Sequence, residues 1–154
     1  MCVLRNHRGG PGIGVSGVSM GTVLDQWDDR FHRILGVEYG DPEYFRVHHL
    51  LVLTYMIQTH SYSPEAFPEA VGLLKGFLAG ESPQNVRKTE KTSKLLDSSQ
   101  RTWRARRADD ERRGDVFPWS MTIMDVRIDS AREYCGDVVR WARDVRDVLV
   151  AAGF

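Results

Sequence analysis

The run Leu50-Leu51-Val52-Leu53, set inside a longer stretch from Pro42 to Thr59, constrains the fold of this chain more than any other feature. A helix that is apolar on every side has no face to give to water, so other elements must surround it. The rest of the sequence supplies them. Ahead of it, Val23, Leu24, Trp27, Phe31, Ile34 and Leu35 recur at three- and four-residue spacing, which places them on one face of a first helix over residues 22–38. Gly40-Asp41-Pro42 stops that helix and starts the central one, with Asp41 suited to the N-cap and Pro42 to the first helical position. The central helix is expected over residues 42–59.

The start signal recurs twice. After Ser63-Pro64-Glu65, the residues Ala66, Phe67, Ala70, Val71, Leu74 and Phe77 continue a helical pattern toward Gly80, and Pro68 moves the first turn toward Phe67. Ser82-Pro83 opens a more polar helix, anchored by Val86, Leu95 and Leu96. Residues 98–119 are charged, carry Trp103 and Trp119, and read as irregular. The last helix is the clearest. Asp129 or Ser130 caps it, Ala131, Tyr134, Cys135, Val138, Ala142, Val145, Val148 and Leu149 form its stripe, and Gly153 ends it. Residues 1–20 are Gly- and Ser-rich without periodicity, a disordered arm ahead of a helical domain over 21–154. No alternating pattern announces a strand. The expected fold class is all-α, a single-domain bundle of four to five helices.

Charge narrows the functional classes. With 21 basic and 21 acidic residues the net charge is zero, which removes any whole-molecule attraction to nucleic acid or membrane. The average hides a division: residues 21–72 carry eight acids and three bases, residues 84–113 ten bases and five acids. Within the basic part, Arg101-Thr102-Trp103-Arg104-Ala105-Arg106-Arg107 interleaves guanidinium groups with an indole, so Arg101, Arg104, Arg106 and Arg107 are candidate anion or nucleic-acid contacts. Asp109-Asp110-Glu111 follows at once and favours a solvated loop instead. Cys2 and Cys135, with no CxxC pair, predict a reducing compartment, the cytoplasm. No apolar run approaches the roughly 18 residues of a membrane span.

Gly12-Ile13-Gly14-Val15-Ser16-Gly17 spells GxGxxG, but Arg5-Asn6-His7-Arg8 ahead of it is no buried strand and no βαβ pattern follows, so the context a dinucleotide needs is missing. The informative constellation is His48, His49, Tyr55, Gln58 and His60 in and just beyond the central helix. Seven residues turn a helix by about 700°, which brings Tyr55 within about 20° of His48. Gln58 lies one turn further along the same side. Polar groups in the most apolar helix of a chain need partners. Either they form a hydrogen-bond network bracing neighbouring helices, or they line a pocket with His48 as acid, base or ligand, assisted by Asp125 or Tyr55. For a metal, His32 and His48 are the candidates, with Asp28 or Asp125 as a third group. His49 and His60, about 16 Å apart along a helix, cannot share an ion. No pattern specifies a cofactor, a substrate or a partner.

Phe31-His32-Arg33-Ile34-Leu35, Asp41-Pro42, His48-His49-Leu50, Tyr55-Met56-Ile57-Gln58 and Tyr62-Ser63, together with Thr122-Ile123-Met124-Asp125-Val126, Tyr134-Cys135 and Trp141-Ala142, resemble the bacterial family known as domain of unknown function 5946, over residues 27–150. The resemblance implies no activity. It marks His48, Tyr55 and Gln58 as the polar positions of the central helix that match the family's pattern.

Three readings stay open: a binding or scaffolding module, a small enzyme or metal-binding protein using His48, and an anion or nucleic-acid binder. If the third holds, affinity for single-stranded DNA falls steeply with salt, and replacing Arg101, Arg104, Arg106 and Arg107 by Gln flattens that slope by about three units. Fluorescence anisotropy across a salt series checks this, and no binding at low salt removes the reading.

Overall fold

The structure, a computed structural model, describes residues 20–83 and 117–154. Arg101, Arg104, Arg106 and Arg107, the GxGxxG stretch and the helix expected after Ser82-Pro83 lie outside the described residues. Within them the chain forms five helices, here α1 (Met20–Gly40), α2 (Pro42–Phe45), α3 (His48–Gln58), α4 (Phe67–Leu78) and α5 (Ala131–Ala151), with a 3-10 turn at Ile123–Asp125. The all-α bundle is the fold class the sequence indicates. None of these helices is long and apolar enough to cross a membrane.

The central helix is not continuous. Asp41 caps α2 through a bond from the Glu43 amide to its carboxylate (2.9 Å), and Pro42 opens it. After one turn the chain breaks at Arg46-Val47, where Val47 takes φ −111° and ψ 13° before α3 begins. The two pieces have different partners, and this explains the break. On α2, the Tyr44 hydroxyl donates to the Ile128 carbonyl (3.1 Å), so α2 is drawn toward α1 and α5. By contrast, α3 packs between α4 and α5 and buries Leu50, Leu51, Leu53, Thr54, Tyr55, Ile57 and Gln58.

Ser63-Pro64-Glu65 makes a turn, not a helix start. The Ala66 and Phe67 amides bond to Ser63, and α4 begins at Phe67 with Pro68 in its first turn. That is where the proline allows it, because a missing amide costs nothing there. Both α4 and α5 end in the same glycine device. Gly80 (φ 98°) and Gly153 (φ 97°) take the left-handed conformation, and the amides of Glu81 and Phe154 reach back to the Gly76 and Leu149 carbonyls at 3.0 Å. This satisfies carbonyls the helix leaves unpaired. At the end of α3 a non-glycine, His60, takes φ 53° and turns the chain away. On α5, Ser130 rather than Asp129 is the N-cap, accepting from the Glu133 amide.

The core runs from Ile34 through α3 and α4 to Tyr134, Val138, Trp141, Ala142, Val145 and Leu149 of α5, with Phe117, Ile123 and Val126 closing one end. The 117–119 end of the segment expected to be irregular is non-helical, and it contributes core: Phe117 is buried and Trp119 packs against it. A carboxylate, Asp137, is buried on α5. Arg127 holds it through Nε (2.8 Å), NH2 (3.1 Å) and its backbone amide (3.1 Å), and Arg140 bonds it from one turn on. These bonds from Arg127 hold the Asp137 carboxyl below its usual range, against the opposing effect of burial. A carboxyl depressed by folding stabilises above its unfolded pKa of about 3.9, and that contribution fades as pH falls through the folded value. Asp137→Asn should therefore lower the urea midpoint at pH 7, with the gap to the parent protein narrowing below about pH 4. An equal gap at both ends would contradict the ion pairing.

Candidate functional site

The polar stripe of α3 is engaged along its whole length, each residue by a different part of the fold. Gln58, nearest the C-terminal end, is 3% exposed. Its Nε2 donates to the Met121 carbonyl (2.8 Å) and its Oε1 accepts from the Trp141 indole (3.2 Å). One amide thus joins α3 to α5 and to the segment leading into the 3-10 turn. Trp141 is fully buried, and its N–H needs such a partner.

Tyr55 faces α1. Its ring stacks on Phe31 with centroids 4.1 Å apart and planes 5° from parallel, and its hydroxyl donates to Asp28 Oδ1 (3.3 Å). Burial pushes the phenol well above its usual range, and the Asp28 charge adds to that. It is a hydrogen-bond donor at any ordinary pH.

His48, in the first turn of α3, meets Glu38 in the last turn of α1. His48 Nδ1 lies 2.6 Å from Glu38 Oε2, while Glu38 Oε1 accepts from the Tyr134 hydroxyl (2.7 Å) on α5. The Glu38 side chain is fully enclosed, whereas that of His48 is 26% exposed. Burial, reinforced by Glu38, raises the Tyr134 phenol far above its usual range. On its outer side His48 stacks on Phe45 (centroids 4.4 Å, planes 12° apart), and Tyr39 lies near at 5.9 Å. Tyr39 and Phe45 are both exposed. The adjacent His49 points elsewhere, edge-on to Phe77 (4.9 Å), and burial lowers its pKa, with His48 acting in the same direction.

The remaining candidates separate. Asp125 is exposed and belongs to a capping box, accepting from the Thr122 amide (2.8 Å) and hydroxyl (3.3 Å). His32 is exposed on α1, its Nδ1 against the Asp28 carbonyl (2.8 Å) and carboxylate (3.5 Å). Among the described residues no three His, Cys, Asp or Glu side chains gather where they could hold a metal ion. Cys135 is half-buried, near the Glu43 carbonyl, and burial raises its thiol pKa, which makes it a poor nucleophile.

Sequence reasoning did not find Glu38 and Tyr134 as partners of His48. A signal was present. Glu38 stands four residues after Ile34 and three after Leu35, so the apolar stripe of α1 runs directly onto an acid. Trp141 likewise falls in the rhythm Tyr134, Val138, Trp141, Val145.

With this geometry in hand, comparison places the chain. It matches the family of unknown function DUF5946 over residues 22–149 and belongs to that family. No curated protein and no solved structure gives a significant match.

Truncating Gln58 would leave both the Met121 carbonyl and the buried Trp141 indole without their partner. Gln58→Ala should cost about 1–3 kcal/mol, a fall in Tm of several degrees by calorimetry. A loss below about 0.5 kcal/mol, the scale of ordinary surface substitutions, would mean that the amide does not brace the core.

Proposed function

We propose that this domain is a binding or scaffolding module whose α3 stripe braces the core and keeps the outer surface rigid. The observation that carries this reading is that His48, Tyr55 and Gln58 are each held by a partner on another element: Glu38, Asp28, and the Met121–Trp141 pair. A stripe spent on contacts between helices holds a shape, and a fixed shape is what a recognition surface needs, because ordering on binding would subtract from affinity.

The surface offers large exposed apolar side chains in separate places: Tyr39 and Phe45 beside the α1–α2 junction, Met124 on the 3-10 turn, Val150 and Phe154 at the end of α5. Exposed apolar groups gathered at one place mark contact sites more often than isolated ones do. Tyr39 and Phe45 are in ring contact, with centroids 5.7 Å apart, and so form the one such pair in that set.

Photo-crosslinking in the native cell tests the reading. A photoreactive residue placed in turn at Tyr39, Phe45, Met124, Val150 and Phe154 should give a discrete protein adduct from Tyr39 and Phe45. The absence of an adduct from every position would contradict a binding role.

A further inference from the structure

Bracing alone leaves one feature unexplained. A carboxylate taken out of water is costly unless well paired, yet Glu38 is enclosed while its partner His48 keeps about a quarter of its side chain exposed. We propose that His48 is a proton-transfer site, with Nε2 as the exchanging atom, Glu38 and Tyr134 as positioning residues, and an uncharged ligand bearing an aromatic or apolar group next to an acidic hydrogen as its substrate class. This goes beyond the binding reading and can fail without it.

The tautomer follows from the bonds. Both Glu38 oxygens are engaged, Oε1 by the Tyr134 hydroxyl at 2.7 Å and Oε2 by His48 Nδ1 at 2.6 Å. A carboxylate can only accept, so Nδ1 carries a proton, and in the neutral ring Nε2 then carries the lone pair. The same carboxylate–histidine pairing orients and strengthens imidazoles that act as ligands or bases.

The proton balance is simple. Nε2 takes the hydrogen of the ligand, the ligand's X–H bond breaks with its electron pair left on X, and the new N–H bond makes an imidazolium. Its charge forms beside the Glu38 carboxylate, which is already in place, so no group has to reorganise. The reverse step returns the proton. Phe45, stacked flat on His48, and Tyr39 give the approach to the ring an aromatic wall, which selects a ligand with an apolar or aromatic portion. His49 does not compete: it is turned against Phe77 on the α4 side.

Three measurements on the full chain test this. Nitrogen-15 NMR at pH 8 should show His48 in the Nδ1–H form. Diethyl pyrocarbonate, with sites read by mass spectrometry, should acylate His48 several-fold faster than His32, which is more exposed and serves as the internal reference. In Glu38→Leu, which removes the acceptor, the Nδ1–H preference should disappear and the rate should fall to that of His32. A bracing role alone would not produce that change in tautomer. Tyr134→Phe, which keeps the His48–Glu38 bond, should retain the tautomer and provides a second variant if Glu38→Leu does not fold. Added phenol, which stays uncharged at pH 8, should shift the His48 and Tyr39 resonances, and Phe45→Ala should abolish the shift. An Nε2–H tautomer in the parent protein, or a His48 rate no greater than that of His32, overturns the proton-transfer site. Unchanged resonances with phenol overturn the ligand class.

Discussion

Three polar side chains of the buried α3 are answered from outside that helix, and these bonds organise the molecule, although the Thr54 hydroxyl, buried on the same helix, has no partner among the described residues. In α3 the backbone hydrogen bonds are closed within the helix, so His48, Tyr55 and Gln58 can be satisfied only by neighbours. The neighbours are spread around the bundle. Glu38 comes from the last turn of α1 and Asp28 from nearer its middle, and Trp141 comes from the middle of α5. Each bond therefore fixes the rotation of α3 and the position of one surrounding element together. Apolar packing can supply comparable stability, but it tolerates sliding that a directional bond does not.

This matters most for α1. It packs against α2 and the 3-10 turn, whereas α3 packs against α4 and α5. The named ties from α1 to α3 are made by long side chains: Glu38 to His48, Asp28 to Tyr55, and Phe31 stacked on Tyr55. Arg30 adds a bond to the Val126 carbonyl (2.6 Å). The two carboxylates stand ten residues apart, about 15 Å along the helix, so they clamp α1 near both ends of α3.

Much of this was legible in the sequence because it is local. Helix periodicity, the Asp41 and Ser130 caps, the shift of α4 to Phe67 by Pro68 and the stop at Gly153 all depend on residues within a turn or two of one another. The polar stripe was legible too, since polar residues stand out in an apolar helix. Its partners were not. Asp28, Glu38, Met121, Tyr134 and Trp141 lie between 10 and 96 residues from the groups they meet. An acid on a helix usually faces solvent, so Glu38 reads as a surface residue until the far side of the bundle is known. The break at Arg46-Val47 was hidden for the same reason: it follows from Tyr44 reaching Ile128, a contact across 84 residues.

The central claim is that directional polar bonds lock α3 to the elements around it, and the Gln58–Trp141 bond is where this is most exposed to test. A double-mutant cycle with Gln58→Ala and Trp141→Phe, read by urea unfolding, isolates the energy shared by the two side chains from what each contributes alone. Direct bonding between two buried partners predicts a coupling of about 1 kcal/mol or more. Losses that simply add would contradict it.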